Sequence, residues 1–234
     1  MIKLYITAFL LAVAAYLIGS VNFAVIFTKN LKGVDVRNYG SGNAGATNVL
    51  RVAGKKAAIL TFVCDFFKGA FATALGMLVC EFYLFKGSLD FSGTVSFSIP
   101  YFNPVYGAYV CGLLCMIGHC WPVFYGFKGG KAAAAGFGFF ACCCWPSAIA
   151  GAIVFGITLL ISKKVSLSSL TAAVAVAAVS AICGYTDFFY FAGINGTVIC
   201  VISLLAAILI FYRHKKNIER LINGEEKDIS VAAE

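Results

Sequence analysis

Three polar stretches hold the side chains of this sequence that could do chemistry. The first, Tyr39–Arg51, reads Y-G-S-G-N-A-G-A-T-N-V-L-R. Gly40, Gly42 and Gly45 alternate with Ser41, Asn43, Thr47 and Asn48, and Arg51 closes the run. Glycines let backbone N–H groups converge on an anion. Hydroxyl and amide groups add neutral donors, and a guanidinium adds a planar fork suited to phosphate. A phosphate cradle and a flexible polar loop both stay open on this composition. The second stretch, Gly118–Lys131, reads G-H-C-W-P-V-F-Y-G-F-K-G-G-K, directly before a run of alanines. A Gly-Gly-Lys turn that opens a helix offers free N–H groups, the positive end of the dipole and an ammonium to one anion. It is not a G-x-x-x-x-G-K-[ST] sequence, so nucleotide binding is not indicated. His119 is expected near the water boundary, as a catalytic, positioning or capping residue. The third stretch, Arg213–Lys227, is basic. Its plain reading is a juxtamembrane segment drawn to anionic lipid. Its His214 and Asn217 are one helical turn apart, so both can point back at a site.

The elements that must position these stretches are membrane helices. The chain has 234 residues, is 61% hydrophobic and only 12% charged. A soluble domain has about a quarter of its residues charged. Little is left for a soluble part, so residues 1–234 read as one transmembrane domain. A span needs about 20 mostly apolar residues. Seven candidates appear, near Leu4–Thr28, Ala57–Phe85, Pro104–Trp121, Ala132–Trp145, Pro146–Ser162, Leu167–Gly184 and Ile194–Tyr212. The fourth and fifth meet at Trp145-Pro146, where one kinked helix is the alternative. The first runs too far to be a cleaved signal segment. Seven spans put the termini on opposite sides. All of the 18 Lys and Arg except Lys3, Lys68 and Lys86 then fall on one side. The positive-inside rule makes that side cytoplasmic, with the N-terminus outside. The net charge of +8 is explained by this topology rather than by nucleic acid.

Asp65 and Lys68 lie inside the second span at i, i+3 and read as an internal ion pair near its cytoplasmic end. The ten cysteines lie in or beside apolar segments. They read as small buried hydrophobes, and no zinc pattern is present. Cys111, Cys115 and His119 share a helical face, for which packing is the expected role. The segment Lys86–Asn103 reads as an outside loop or hairpin, and Tyr185–Gly193 as an aromatic interfacial loop.

With all three stretches in view, the chain resembles the bacterial acyl-phosphate:glycerol-3-phosphate acyltransferases. The family's first motif, G-S-G-N-x-G-x-T-N-x-x-R, matches Gly40–Arg51 at every fixed position. Its second, G-H-x-x-P-x-x-x-x-F-x-G-G-K-G, matches from Gly118 to Lys131, with Ala132 in place of the final glycine. The third matches more loosely, through His214, Asn217, Ile218, Arg220, Leu221, Gly224 and Glu226. The resemblance implies an all-α integral membrane enzyme of seven spans in the bacterial plasma membrane, with a cytoplasmic site. It implies transfer of a fatty acyl group from acyl phosphate to the 1-hydroxyl of glycerol 3-phosphate, giving lysophosphatidic acid and phosphate, without cofactor or metal. Membrane lipids are the expected surroundings. It ties Ser41, Arg51, Lys131, His214 and Asn217 to activity, with Asn43, His119 and Glu226 as further carry-overs. Gly40, Gly42, Gly129 and Gly130 belong to the phosphate-binding loops. His214 and His119 are candidate bases, and a substrate phosphate oxygen is a third. The chain lacks the H-x-x-x-x-D motif of acyltransferases that use thioesters: Phe124 and Glu219 stand where the Asp would be. A thioester donor and a transporter of phosphate or an organophosphate are the rival readings.

Overall fold

The computed structural model describes residues 2–80, 104–186 and 196–229, and these are helical apart from turns and connections. Among the described residues, six helical segments are long and apolar enough to cross a bilayer. Residues 86–103, and most of the loop expected at 185–193, lie outside the described residues.

The first expected span is two helices, α1 (Ile2–Ser20) and α2 (Phe23–Lys32). They part at Val21-Asn22 because the Asn22 side chain, not a carbonyl, accepts from Val25 N. Gly33 ends α2 in the left-handed conformation, its N–H on Lys29 O. The next helix, α3 (Ala46–Cys80), starts earlier than its apolar run, inside the first polar stretch. Thr47, Asn48 and Arg51 are therefore helical, not part of a loop. A left-handed Gly54 interrupts α3 and sets this first piece apart from the long membrane helix.

Helix α4 (Pro104–Cys120) returns towards the same end, and the second polar stretch folds there. Then comes α5 (Ala133–Cys143). Its 11 residues rise about 16 Å, about half of the hydrocarbon thickness. The fourth expected span is thus a short helix. Lys131 stands immediately before its N-cap, Ala132. Cys144 has non-helical backbone (φ −148°, ψ 69°) between α5 and α6 (Trp145–Ser162), so this is a break between two helices and not one kinked helix. Pro146 sits in the first turn of α6, where its missing N–H has no partner to lose. Helices α7 (Val165–Tyr185), α8 (Gly196–Arg213) and the short α9 (Lys215–Ile222) follow.

Helix α3 packs on α1, α4 and α5; α6 pairs with α7, and α7 with α8. Small residues bring the backbones together, as in other membrane bundles. A Cβ on Gly69 of α3 would overlap the Ala135 carbonyl of α5, and one on Gly138 would overlap that of Phe66. Tyr109, Met116 and Phe139 are fully buried at the centre. All three polar stretches gather at one end of the bundle.

Candidate active site

The first glycine loop is held by Asn48. From the start of α3 its Oδ1 accepts Ser41 N at 2.9 Å, and its Nδ2 donates to Val36 O and Tyr39 O, both at 3.0 Å. Gly40 and Gly42 take φ of 60° and 69°, a region that side chains disfavour. A Cβ on Gly40 would also strike the Asn48 amide. The N–H groups of Gly42 and Gly45 go to Tyr39 O and Asn43 O. The N–H groups of Ser41, Gly42 and Gly45 are thus spent within this stretch. It lines the cavity with Ser41, Asn43, Gly45 and, one helical turn past Asn48, Arg51.

The second stretch closes over this loop. Arg37, bound to Asp35 at 2.7 Å, donates to Tyr125 O at 2.7 Å and so ties the two polar stretches together. The Asp35 carboxyl is held below its usual range, chiefly by the Arg37 hydrogen bond. Gly129 and Gly130 are buried, and a Cβ on either would overlap the end of α4 at His119. They are small so that the turn can seat on α4. Arg213 clamps the turn from the other side, donating to Gly130 O at 3.0 Å and Gly129 O at 3.2 Å while lying over the Trp121 ring. The first N–H groups of α5 have no intrahelical carbonyl to reach. Ala133 and Ala134 line the cavity beside Lys131, so a helix N-terminus does face it, as the sequence suggested.

Ala132 stands between Lys131 and α5 with φ of 59°. An L-residue pays about 1–2 kcal/mol there that glycine does not. We expect Ala132→Gly to stabilise the protein by about 1 kcal/mol, raising its thermal midpoint by roughly 2–4 °C. Scanning fluorimetry in detergent checks it; an unchanged or lower midpoint would show that the turn is unstrained.

The third stretch reaches back over both. His214 separates α8 from α9 and is buried. Its Nδ1 lies 2.8 Å from Ile210 O. A carbonyl only accepts, so Nδ1 bears the proton and Nε2 keeps a lone pair. Asn217 accepts from Lys131 Nζ and donates to Glu226 Oε1 at 2.6 Å. Arg220 Nε donates to the other Glu226 oxygen at 2.6 Å. Ile229 N, on Lys163 O at 2.8 Å, anchors the tail across the turn between α6 and α7.

These groups meet in one cavity of about 320 Å³. Ser41, Arg51, Lys131, His214 and Asn217 line one end of it. Phe140, Gly151, Phe155 and Val176, deep in α5, α6 and α7, line the other. Burial pushes the Lys131 ammonium down to about 8; Glu226 opposes this, and Arg220, Arg213 and Arg51 add to it. Burial also pushes His214 down to about 4, helped by the nearby Lys131 charge. Burial would raise Glu226, but the donors on Arg220 and Asn217 hold the carboxyl low. The polar end therefore offers cations in excess of carboxylate, together with a neutral imidazole.

The structure brings Ser41, Asn43, Arg51, His119, Lys131, His214, Asn217 and Glu226 to this cavity, while Gly40, Gly42, Gly129 and Gly130 lie in the loops beside it and do not line it. His119 differs in setting: it is buried under the Gly-Gly turn rather than at the water boundary. Glu226 serves the site as a brace between Asn217 and Arg220. The sequence reading missed Asn48, Arg213 and Arg220 as site-building residues. Asn48 and Arg220 lie within matched motifs, but only their partners' positions reveal what they do.

A helical bundle with phosphate-suited cations at the head of an apolar slot defines an integral membrane enzyme for a phosphate-bearing amphiphile. The family model described as glycerol-3-phosphate acyltransferase matches residues 9–224. The chain belongs to that family, and its activity is acyl transfer to glycerol 3-phosphate. Glycerol-3-phosphate acyltransferase 2 of Bacillus anthracis is 38% identical over 217 residues, covering 93% of this chain and 96% of its own. A Thermoanaerobacter enzyme is 38% identical over 230 residues, covering 97% and 98%. Two crystal structures of PlsY (YgiH), an integral membrane glycerol 3-phosphate acyltransferase, share the fold. Its glycerol 3-phosphate form gives a TM-score of 0.73 at 33% identity, covering 94% of both chains. Its lysophosphatidic acid form gives 0.71 at 32%, again covering 94% of both.

Proposed function

We propose that the donor is acyl phosphate, and that the products are lysophosphatidic acid and inorganic phosphate. The observation that carries this is the single cavity with a cationic end and an apolar end. A phosphate-activated acyl group fits both at once: its phosphate lies among Arg51, Lys131 and the opening of α5, and its chain lies between α5, α6 and α7. Glycerol 3-phosphate brings a second phosphate, which the same cations and Ser41 hold, while His214 and Asn217 orient its 1-hydroxyl. That hydroxyl oxygen attacks the acyl carbon. The bond from that carbon to the phosphate oxygen breaks, and phosphate leaves with the electron pair. The hydroxyl proton passes to His214 Nε2. Positioning and charge stabilisation supply most of the rate.

The Lys and Arg distribution supports placing this end in the cytoplasm of a bacterial plasma membrane, with the N-terminus outside. Purified protein in detergent, given glycerol 3-phosphate and in turn acyl phosphate, acyl-CoA or an acyl carrier protein thioester, tests the donor. Lysophosphatidic acid and phosphate in equal amounts from acyl phosphate alone are the expected result. Turnover with a thioester would overturn the donor and leave the acyl transfer standing.

A further inference from the structure

Asp65 and Lys68 are the buried ions of α3, exposed by only 2% and 6%. Intramembrane charges are costly and mark function more often than decoration. Lys68 Nζ lies 2.8 Å from Asp65 Oδ1 and donates to Val21 O at 2.7 Å. That carbonyl is the one released where α1 and α2 part, since Val25 N turns to Asn22 instead. An isolated ion pair would need nothing more. Here a third polar group approaches the same carboxylate oxygen: His119 Nδ1 stands 3.5 Å from Asp65 Oδ1, a buried oxygen that no formed hydrogen bond satisfies. His119 is also the seat of the Gly-Gly-Lys turn. Its carbonyl accepts Gly130 N at 3.0 Å, and its Nε2 edge lies where a Cβ on Gly130 would go. Asp65 and His119 both border the cavity. None of the steps proposed above uses Asp65.

We infer that Asp65 is a positioning residue of the acyl-transfer site, acting through His119. Its carboxylate holds the proton of the neutral imidazole on Nδ1 and fixes the ring against Gly130. The ring sets the height of the Gly129–Lys131 turn, and so the place of the Lys131 ammonium. The line of contact runs from the break in the first span, through Lys68, Asp65 and His119, to the turn. This rests on the reading of Lys131 as a phosphate ligand.

The test replaces both ions with apolar residues of similar volume, Asp65→Leu with Lys68→Met, an exchange that folded proteins often tolerate. The chain has only two histidines, so 15N-histidine spectra of the purified protein in micelles report each ring. In the unaltered protein at neutral pH, His119 is expected as the single Nδ1–H tautomer. In the double variant it becomes a tautomer mixture, and KM for glycerol 3-phosphate or acyl phosphate rises about tenfold or more. Unaltered kinetics, or altered kinetics with the His119 tautomer unchanged, would overturn the inference. Gly130→Ala decides the matter if the double variant does not fold. It crowds the His119 ring, and the Ala44 carbonyl beside it, without touching an ion, and it should shift the His119 signals and raise KM together. Wild-type KM in folded Gly130→Ala would overturn the inference as well. Full activity in Lys131→Met would instead defeat the phosphate reading, and the tautomer spectra do not depend on that outcome.

Discussion

We expect Lys131→Met to abolish acyl transfer and to make the protein more stable. The two effects have one cause. Burial has drawn the Lys131 ammonium down to about 8 from its ordinary 10.5. Each unit of that depression is about 1.4 kcal/mol of preference against the charged form in the folded state. The unfolded chain therefore holds this proton more tightly than the folded one between pH 8 and 10.5. Folding stability contributed by this group rises with pH across that window, and at pH 7 the full penalty is present. Removing the charge relieves it, less the lost hydrogen bond to Asn217, for a net gain of about 2 kcal/mol. Activity moves the other way. A bound phosphate is what makes the buried ammonium favourable, and losing one such preorganised charge costs on the order of 100–1000-fold in rate. Arg51→Ala should lose activity comparably, for want of the other cation. Thermal midpoints and kcat/KM on the same preparations check both effects. A Lys131→Met variant that turned over at the wild-type rate would remove Lys131 from the site. One that lost both activity and stability would recast Lys131 as a structural residue.

Sequence alone reached most of the site because its chemistry is concentrated in short runs. Gly40–Arg51, Gly118–Lys131 and His214–Glu226 each bring several donors or cations into an apolar chain, and such runs stand out by contrast. The reasons behind the glycines did not come through. Gly129 and Gly130 are packed against His119, and Gly40 against Asn48, where the sequence suggested open N–H groups. The difference is which neighbour lies within reach, and that neighbour can be far along the chain. For the same reason the Asp65–Lys68 pair was legible from its i, i+3 spacing, while the approach of His119 to it was not. Hydropathy saw the length of the apolar segments but not their interruptions. The break at Asn22 depends on one side-chain hydrogen bond. The shortness of α5 depends on its N-terminal turn being drawn down to α4 and Arg213.

His214→Asn separates the two places where the hydroxyl proton can go. An Asn side chain can keep the hydrogen bond that Nδ1 makes to Ile210 O, but it has nothing where Nε2 stands. If Nε2 is the base, kcat falls by about 100-fold or more, while KM for glycerol 3-phosphate changes much less. If a substrate phosphate oxygen takes the proton, the fall in kcat is less than about tenfold. The pH dependence adds an independent reading. His214 is held at about 4 by burial and by the Lys131 charge, so it stays neutral and able to accept a proton through the physiological range. The acid limb of kcat/KM should then lie well below pH 6.5, the usual value for imidazole. Stability follows the same shift. Between pH 6.5 and 4 the unfolded chain takes up a proton on this residue that the folded chain refuses. The stability it contributes is present above 6.5 and lost as pH falls towards 4. His214→Asn should remove that part of the acid sensitivity while leaving the loss from carboxylates such as Glu226, which is held below its usual range. An acid limb near 6.5, with kcat nearly unchanged in His214→Asn, would take the proton away from His214 and give it to the substrate.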